Sequence, residues 1–286
     1  MGAQHLKNER NILKHIVCYS GGHSSGLVAV EVTRKFGKEN VILLNHDISA
    51  LVENQDIKRF KQELANYLDL PITYANIKGH DLKDIPDQFD VVVQAGAFKV
   101  GSGTEFCTSR LKTEPFASWL KNNVEDKLDV CIYYGFDANE TVRIQRRSSI
   151  LGQQGYRTDY PLALWKERTI YSTLEVGIVA PNTYEHFKHA NCVGCLKAGK
   201  QHWYIVYCTR PDIWEKAKWS ENEIGYTIIK DISIEELEPL FESMKQAGIA
   251  PTEHVPFQTF WANTRKVIKI RESEIEADNK PCECVF

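Results

Sequence analysis

Apolar residues in the first half of the chain come in short unbroken runs, separated by stretches with helical periodicity. His15 to Tyr19 (HIVCY) is a β-branched run that ends in Ser-Gly-Gly, and Val41 to Leu44 is a second. Short apolar runs bounded by turn residues predict strands buried on both faces. Ile72 to Ile77, Asp90 to Gln94 (DVVVQ) and Val130 to Phe136 (VCIYYGF) predict three more. Between them, Ser24 to Phe36 places Leu27, Val28, Val30 and Phe36 on a helical face, with Gly37 positioned to stop the helix. Asp56 to Leu68 repeats the pattern with Ile57, Phe60, Leu64 and Tyr67. Leu111 to Val124 also reads as a helix, with Pro115 near its start, where proline is tolerated.

Strands alternating with helices predict an α/β fold, a parallel Rossmann-like sheet with helices on both faces. Beyond about residue 150 the pattern degrades, and Trp165, Trp203, Trp214 and Trp261 lie scattered among polar residues. The expected organisation is therefore an α/β core over 1–150 and a smaller, irregular, cysteine-containing subdomain over 151–286. The acidic stretch Glu272 to Asp278 is expected to be mobile.

The chain has 286 residues, 43% of them hydrophobic, enough for a substantial core. A net charge of −3 argues against a general nucleic-acid coat protein and leaves room for a local basic patch. The polar N-terminus does not resemble a signal peptide, and no apolar run approaches the roughly 18 residues that span a bilayer. A soluble, cytoplasmic protein with no membrane partner is expected. There are eight cysteines in this long chain. In a reducing compartment, the close pairs Cys192/Cys195 and Cys282/Cys284 point to metal or redox chemistry rather than a disulfide scaffold.

The first run leads into Ser20-Gly21-Gly22-His23-Ser24-Ser25-Gly26 and then a helix. Glycines let backbone approach a phosphate closely, and the first turn of the helix offers unpaired N–H groups and a partial positive charge. Ser20, Ser24 and Ser25 add hydroxyl donors. The Gly-Lys-Ser/Thr ending of a Walker A loop is absent. The competing reading is an ordinary tight turn before a helix. A second chemical signal is Asn191-Cys192-Val193-Gly194-Cys195, the spacing of a metal knuckle, which suits zinc or an iron–sulfur cluster.

The loop resembles the Ser-Gly-Gly-x-Asp-Ser loop of the PP-loop ATP pyrophosphatases, in the adenine-nucleotide α-hydrolase superfamily. Ser24 stands where most members carry Asp, a departure common in the branch similar to phosphoadenosine phosphosulfate (PAPS) reductases. Phe106-Cys107-Thr108-Ser109-Arg110-Leu111-Lys112-Thr113-Glu114-Pro115 is similar to that branch's Cys-Thr-x-x-Leu-Lys-x-x-Pro segment. Gly135-Phe136-Asp137-Ala138-Asn139-Glu140-Thr141-Val142-Arg143 resembles its Gly-x-x-Ala-x-Glu-x-x-Arg segment. The ordered set covers roughly residues 14 to 215.

The resemblance implies that ATP with Mg2+ lies on Ser20, Gly21, Gly22, His23, Ser24 and Ser25. Asp47 would contact the ribose or adenine, and Arg110 and Lys112 the phosphates. Asp137 and Arg143 are the catalytic candidates, and Arg146 and Arg147 would extend the positive patch or form a solvated helix face. It also implies that Cys107 joins Cys192 and Cys195, with Cys284 or Cys282 as fourth ligand, around a [4Fe-4S] cluster, with Zn2+ the rival. The expected activity is adenylation of a substrate, ATP giving AMP and pyrophosphate, followed by sulfur transfer. The acceptor would be tRNA, DNA or a small sulfur metabolite, and a homodimer is one expected assembly. Two alternatives stand beside it: reduction of a sulfonucleotide, and a catalytically inactive nucleotide-sensing or interaction module.

Overall fold

A computed structural model describes residues 14–77, 84–101, 103–190 and 192–268. The acidic stretch 272–278 and the terminal Cys282 and Cys284 lie outside the described residues. In chain order the first half runs β1 (Lys14–Cys18), α1 (His23–Phe36), β2 (Val41–Asn45), α2 (Gln55–Leu68), β3 (Ile72–Tyr74), α3 (Gln88–Ala95), α4 (Phe106–Thr108), α5 (Glu114–Asn123) and β4 (Val130–Tyr133). The remainder is α6 (Thr141–Gln153), β5 (Arg157–Asp159), α7 (Pro161–Leu164), α8 (Lys200–Thr209), α9 (Pro211–Ile224), α10 (Ile234–Gln246) and α11 (Phe257–Val267).

The described residues form two compact units, interleaved in sequence. The first draws on Met1–Asn45, Lys61–Thr73 and Trp119–Val179. Its frame is the expected parallel sheet, five strands in the order β3-β2-β1-β4-β5. β1 is paired along both edges, His15 to Val41 on one side and to Cys131 on the other. The sequence alternation sorts the faces. His15 stacks on Phe36 of α1, with ring centroids 3.7 Å apart, and its Nδ1 bonds the Tyr133 hydroxyl at 2.8 Å. α1 therefore covers this face. Tyr134, the next residue along, points to the other face, where Arg147 of α6 lies over its ring. The β1-α1-β2 and β4-α6-β5 crossovers thus leave the sheet centre in opposite directions, which makes the carboxyl ends of β1 and β4 a topological switch point. After α7 the chain returns to α1, where the buried Glu31 carboxylate accepts from the backbone N–H groups of Thr169 (2.5 Å) and Ile170 (3.0 Å).

The second unit draws on His46–Phe60, Tyr74–Ser118 and Ala180–Phe286. Its core gathers Phe89, Trp203, Tyr204, Ile213, Trp214, Phe241, Phe260 and Trp261. Trp203, Trp214 and Trp261, scattered in the sequence, meet here because each lies on the inward face of its helix; Trp165 belongs instead to the first unit, beside Phe36 and Tyr133. Asp90 to Gln94, expected as a strand, is instead part of α3. Asp87 accepts from the N–H groups of Phe89 (2.8 Å) and Asp90 (3.1 Å), and the Asp90 carboxylate accepts from Asp87 N–H at 3.1 Å. A reciprocal cap of this kind, with Gly96 in the left-handed conformation at the other end, outweighs the weak strand preference of three valines. The expected helix over 111–124 begins later, because Ser109–Thr113 forms a wide π-turn before Glu114 and Pro115. Pro115 has no N–H to offer the carbonyl of Leu111, so regular α pairing fails there.

The tightest backbone approach in the first unit lies at the switch point. A Cβ built on Gly135 would stand 2.9 Å from both the Ser24 carbonyl carbon and the Ser25 nitrogen. Gly152, in α6, faces open space. Gly135→Ala should therefore destabilise the protein by about 1–3 kcal/mol through overpacking, while Gly152→Ala should raise stability by up to about 1 kcal/mol through helix propensity. Urea titration of the two variants checks this; equal midpoints would mean that the loop yields to Gly135 without resistance.

Candidate functional site

The glycine loop of the first unit begins where β1 ends. Tyr19 is held from three sides: its N–H donates to Leu44 O (2.8 Å), its carbonyl accepts from Asn45 Nδ2, and its hydroxyl donates to Lys61 O (2.9 Å). Gly21 has φ 86°, left-handed backbone that favours glycine, and Gly22 takes the N-cap position of α1 with no capping side chain. The first turn of α1 contains no carboxylate. An uncapped helix start leaves backbone donors for an anion. Ser25 is buried and bonds Gly22 O (2.8 Å) and the Ser20 hydroxyl (3.2 Å), so two of the expected hydroxyls brace the loop; Ser24 is exposed. His23 Nε2 accepts from Thr173 N–H at 3.3 Å. Burial, and then the nearby Arg168 guanidinium, push this imidazole below its usual range. Arg168 went unnoticed in the sequence, where nothing periodic distinguishes Lys166-Glu167-Arg168 from a solvated run.

The segment after β4 supplies the other expected groups of this unit. Asp137 is exposed, and its Oδ1 accepts from Ala138 N–H at 2.7 Å. Glu140 accepts from Asp137 N–H (2.8 Å) and pairs with Arg143, whose guanidinium lies 4.4 Å from the Phe136 ring centroid. Arg146 is exposed, whereas Arg147 is buried. The expectation of one basic patch is thus divided among a paired arginine, a solvated one and a buried one.

The second unit carries Asp47, Arg110, Lys112 and the cysteines. Asp47 is buried and engaged: Lys58 Nζ lies 3.0 Å from its Oδ1, and its N–H donates to Asn76 Oδ1 at 2.8 Å. Glu53 shares Lys58 at 3.5 Å. Burial and these two carboxylates push the Tyr74 hydroxyl up to about 12. Arg110 is exposed and paired with Glu114 at 2.8 Å.

The Cys-x-x-Cys turn is pinned by its backbone. Val193 N–H donates to Val52 O (2.8 Å), and Gln88 Nε2 donates to Val193 O (2.8 Å) and Gly194 O (3.1 Å). Cys195 N–H donates to His202 Nε2 at 3.4 Å, and His202 Nδ1 lies 2.9 Å from Glu253 Oε1. Burial pushes the Glu253 carboxyl up, but the His202 contacts and the Lys188 amide outweigh it and hold it low. Gly194 has φ 71°, and a Cβ there would meet Ile213 at 2.6 Å. Cys107 and Cys192 border the apolar core, and Cys195 is buried. A Lys197–Glu105 ion pair (3.0 Å) joins the segment after Cys195 to the one before Cys107. Even so, among the described residues no group of three or more His, Cys, Asp or Glu is placed to hold a metal ion. The described part of the expected ligand set therefore does not by itself fit a cluster, zinc or a protein-held magnesium ion; Cys282 and Cys284 lie outside it. No helix of the described residues is long and apolar enough to cross a membrane.

His46, between the loop-bracing Asn45 and Asp47, is the most strongly shifted histidine of the site segments. Burial dominates and takes it down to about 4, opposed by its bond to Ala75 O (2.5 Å) and aided by Lys112. The sign follows from linkage. Between pH 6.5, the ordinary value, and about 4, the unfolded chain takes up a proton that the fold refuses. Stability is therefore full above that window and falls through it as pH drops, by on the order of 3 kcal/mol. In His46→Gln the fall in unfolding free energy over this window should be correspondingly smaller. Equal slopes in variant and parent would exclude His46 as the group responsible.

Comparison with protein-family models, with curated proteins and with solved structures finds no match to this chain.

Proposed function

We propose that this chain is a nucleotide-activating enzyme of sulfur chemistry, with ATP bound at the glycine loop of the first unit. The observation that supports the reading is the uncapped start of α1, reached through Ser20-Gly21-Gly22 at the switch point of a parallel sheet. Backbone donors there suit a polyphosphate, and a helix start without an acidic residue does not repel one. In the proposed reaction a substrate oxygen attacks the α-phosphorus, the bond to pyrophosphate breaks, and an adenylate forms. A sulfur nucleophile then displaces AMP. The chain's part is positioning and charge neutralisation, with Arg143 after β4 and Arg168 beside His23 as candidate cations of this unit. Mg2+ would arrive on the nucleotide. The acceptor class is a nucleic acid or a small metabolite.

Reduction of a sulfonucleotide is the second reading. It is favoured by the pinned Cys192–Cys195 turn, which holds two cysteines in one backbone-braced loop. There a cysteine thiolate would attack the substrate's sulfur, breaking its S–O bond to the nucleotide, and a second thiol would then displace sulfite as a disulfide forms, which an external thiol reductant reopens.

Gly22→Val puts a branched side chain where the phosphates must approach, at a φ of −83° that valine tolerates. The fold should persist and ATP affinity should drop by at least about a hundredfold, as calorimetry would read; an unchanged affinity removes the loop as the site. Pyrophosphate release from ATP by the parent identifies the leading reading, and sulfite release from PAPS the second. Iron and zinc analysis of anaerobically purified protein decides separately whether the full chain holds a metal.

A further inference from the structure

Three aromatic rings lie on the α6 face of the sheet in the first unit. Tyr134, Phe136 and Tyr160 stack nearly parallel, with centroids 5.3–6.0 Å apart. Arg147 comes down from α6 so that its guanidinium lies 5.4 Å from the Tyr134 ring centroid. The residue is only 9% exposed, and its Nε is buried with no hydrogen-bond partner. Among the described residues no carboxylate pairs with it, in contrast to Arg143 one turn earlier, which has Glu140. Cys18, the other group it faces, is no counter-ion. Burial pushes that thiol up to about 12, against smaller opposite effects of Tyr134 and Arg147, and keeps it neutral. The buried Tyr134 hydroxyl lies against the Cys18 thiol and makes no hydrogen bond of standard geometry.

A ring face compensates a desolvated cation far less than an anion does. Buried charges in proteins are paired as a rule, so a guanidinium held here on an aromatic face calls for a partner from outside the chain. Its place says where that partner comes from. Cys18 ends β1, Tyr134 follows β4, and the two strands are hydrogen-bonded neighbours. Arg147 therefore faces the switch point from the side opposite α1. Its planar fork of donors matches a phosphate or sulfate group.

We propose that Arg147 is the anchor of a tetrahedral oxyanion, a phosphate or sulfate group of the substrate, bound at the carboxyl ends of β1 and β4 on the α6 side, with Tyr134 as a second donor. As a statement about substrate it rests on reading this sheet edge as a nucleotide site; as an anion site it does not.

The test uses the full chain, with inorganic pyrophosphate and sulfate titrated at constant ionic strength and followed by thermal unfolding and calorimetry. The parent should show a saturable rise in Tm with at least one of the two anions, and which one responds separates the phosphate source from the sulfate source. Arg147→Met should raise the Tm of the anion-free protein, since an uncompensated buried charge is gone, and should weaken anion binding by roughly tenfold or more. Arg147→Lys keeps the charge but not the fork, and should bind about tenfold more weakly; it carries the test if the methionine variant fails to fold. An Arg147-dependent response in a protein that does not bind ATP would sink the proposed activity and leave the anion site standing. A parent with no saturable response to either anion overturns the inference. So do variants at 147 that bind both anions as the parent does, or a methionine variant that only loses stability.

Discussion

The double pairing of β1 is the constraint on which the first unit depends. A strand hydrogen-bonded to β2 on one edge and β4 on the other cannot shift register without breaking both ladders. Its last residue, Cys18, is therefore fixed against Leu44, and the chain must leave the sheet between two neighbouring strand ends. Tyr19 is locked by Leu44, Asn45 and Lys61, Gly21 supplies the left-handed step, and α1 begins at once. Gly135 at the end of β4 then lies so close to the first turn of α1 that no side chain fits. The glycine loop is thus held by the sheet as well as by its own Ser20 and Ser25 hydroxyls.

Buried polar groups show what the fold satisfies for itself. Glu31 is served by two backbone amides, Glu221 by those of Ile228 (2.6 Å) and Ile234 (2.7 Å), and Gln88 by two carbonyls of the cysteine turn. Such groups are structural, because each carboxylate, and the Nε2 of Gln88, meets its complement within the chain. Arg147 breaks the pattern. Replacing a lost hydration shell with one aromatic face recovers about 2 kcal/mol or somewhat more, whereas the penalty for burying an ion is several. Arg147 is a buried cation to which the described residues offer a ring face and no carboxylate.

The cysteine turn has a different logic. Val52, Gln88 and His202 take up its backbone groups, and Glu253 fixes which imidazole nitrogen faces Cys195. The backbone of the turn is consequently held by the protein's own hydrogen bonds. A metal, if the full chain holds one, would find two thiols already in place, which separates this arrangement from small motifs that fold only around their metal.

By itself the sequence determined β1 to β4, the helices α1 and α2 and the parallel α/β class, because buried strands and amphipathic helices write their periodicities directly into residue order. It also located the glycine loop and the Cys-x-x-Cys turn, whose chemistry lies in adjacent residues. What it could not determine was any property set by partners distant in the chain. The run Asp90 to Gln94 looks like a strand, and only the reciprocal cap with Asp87 and burial against the second unit's core make it helical. Arg143, Arg146 and Arg147 are near neighbours on one helix and read alike. The pitch of α6 and the position of Tyr134, fixed by β4, decide that one pairs with Glu140, one meets water and one is buried. Charge is written in the sequence, but whether a charge is compensated depends on what the fold brings within a few ångströms of it, and that is decided only in three dimensions.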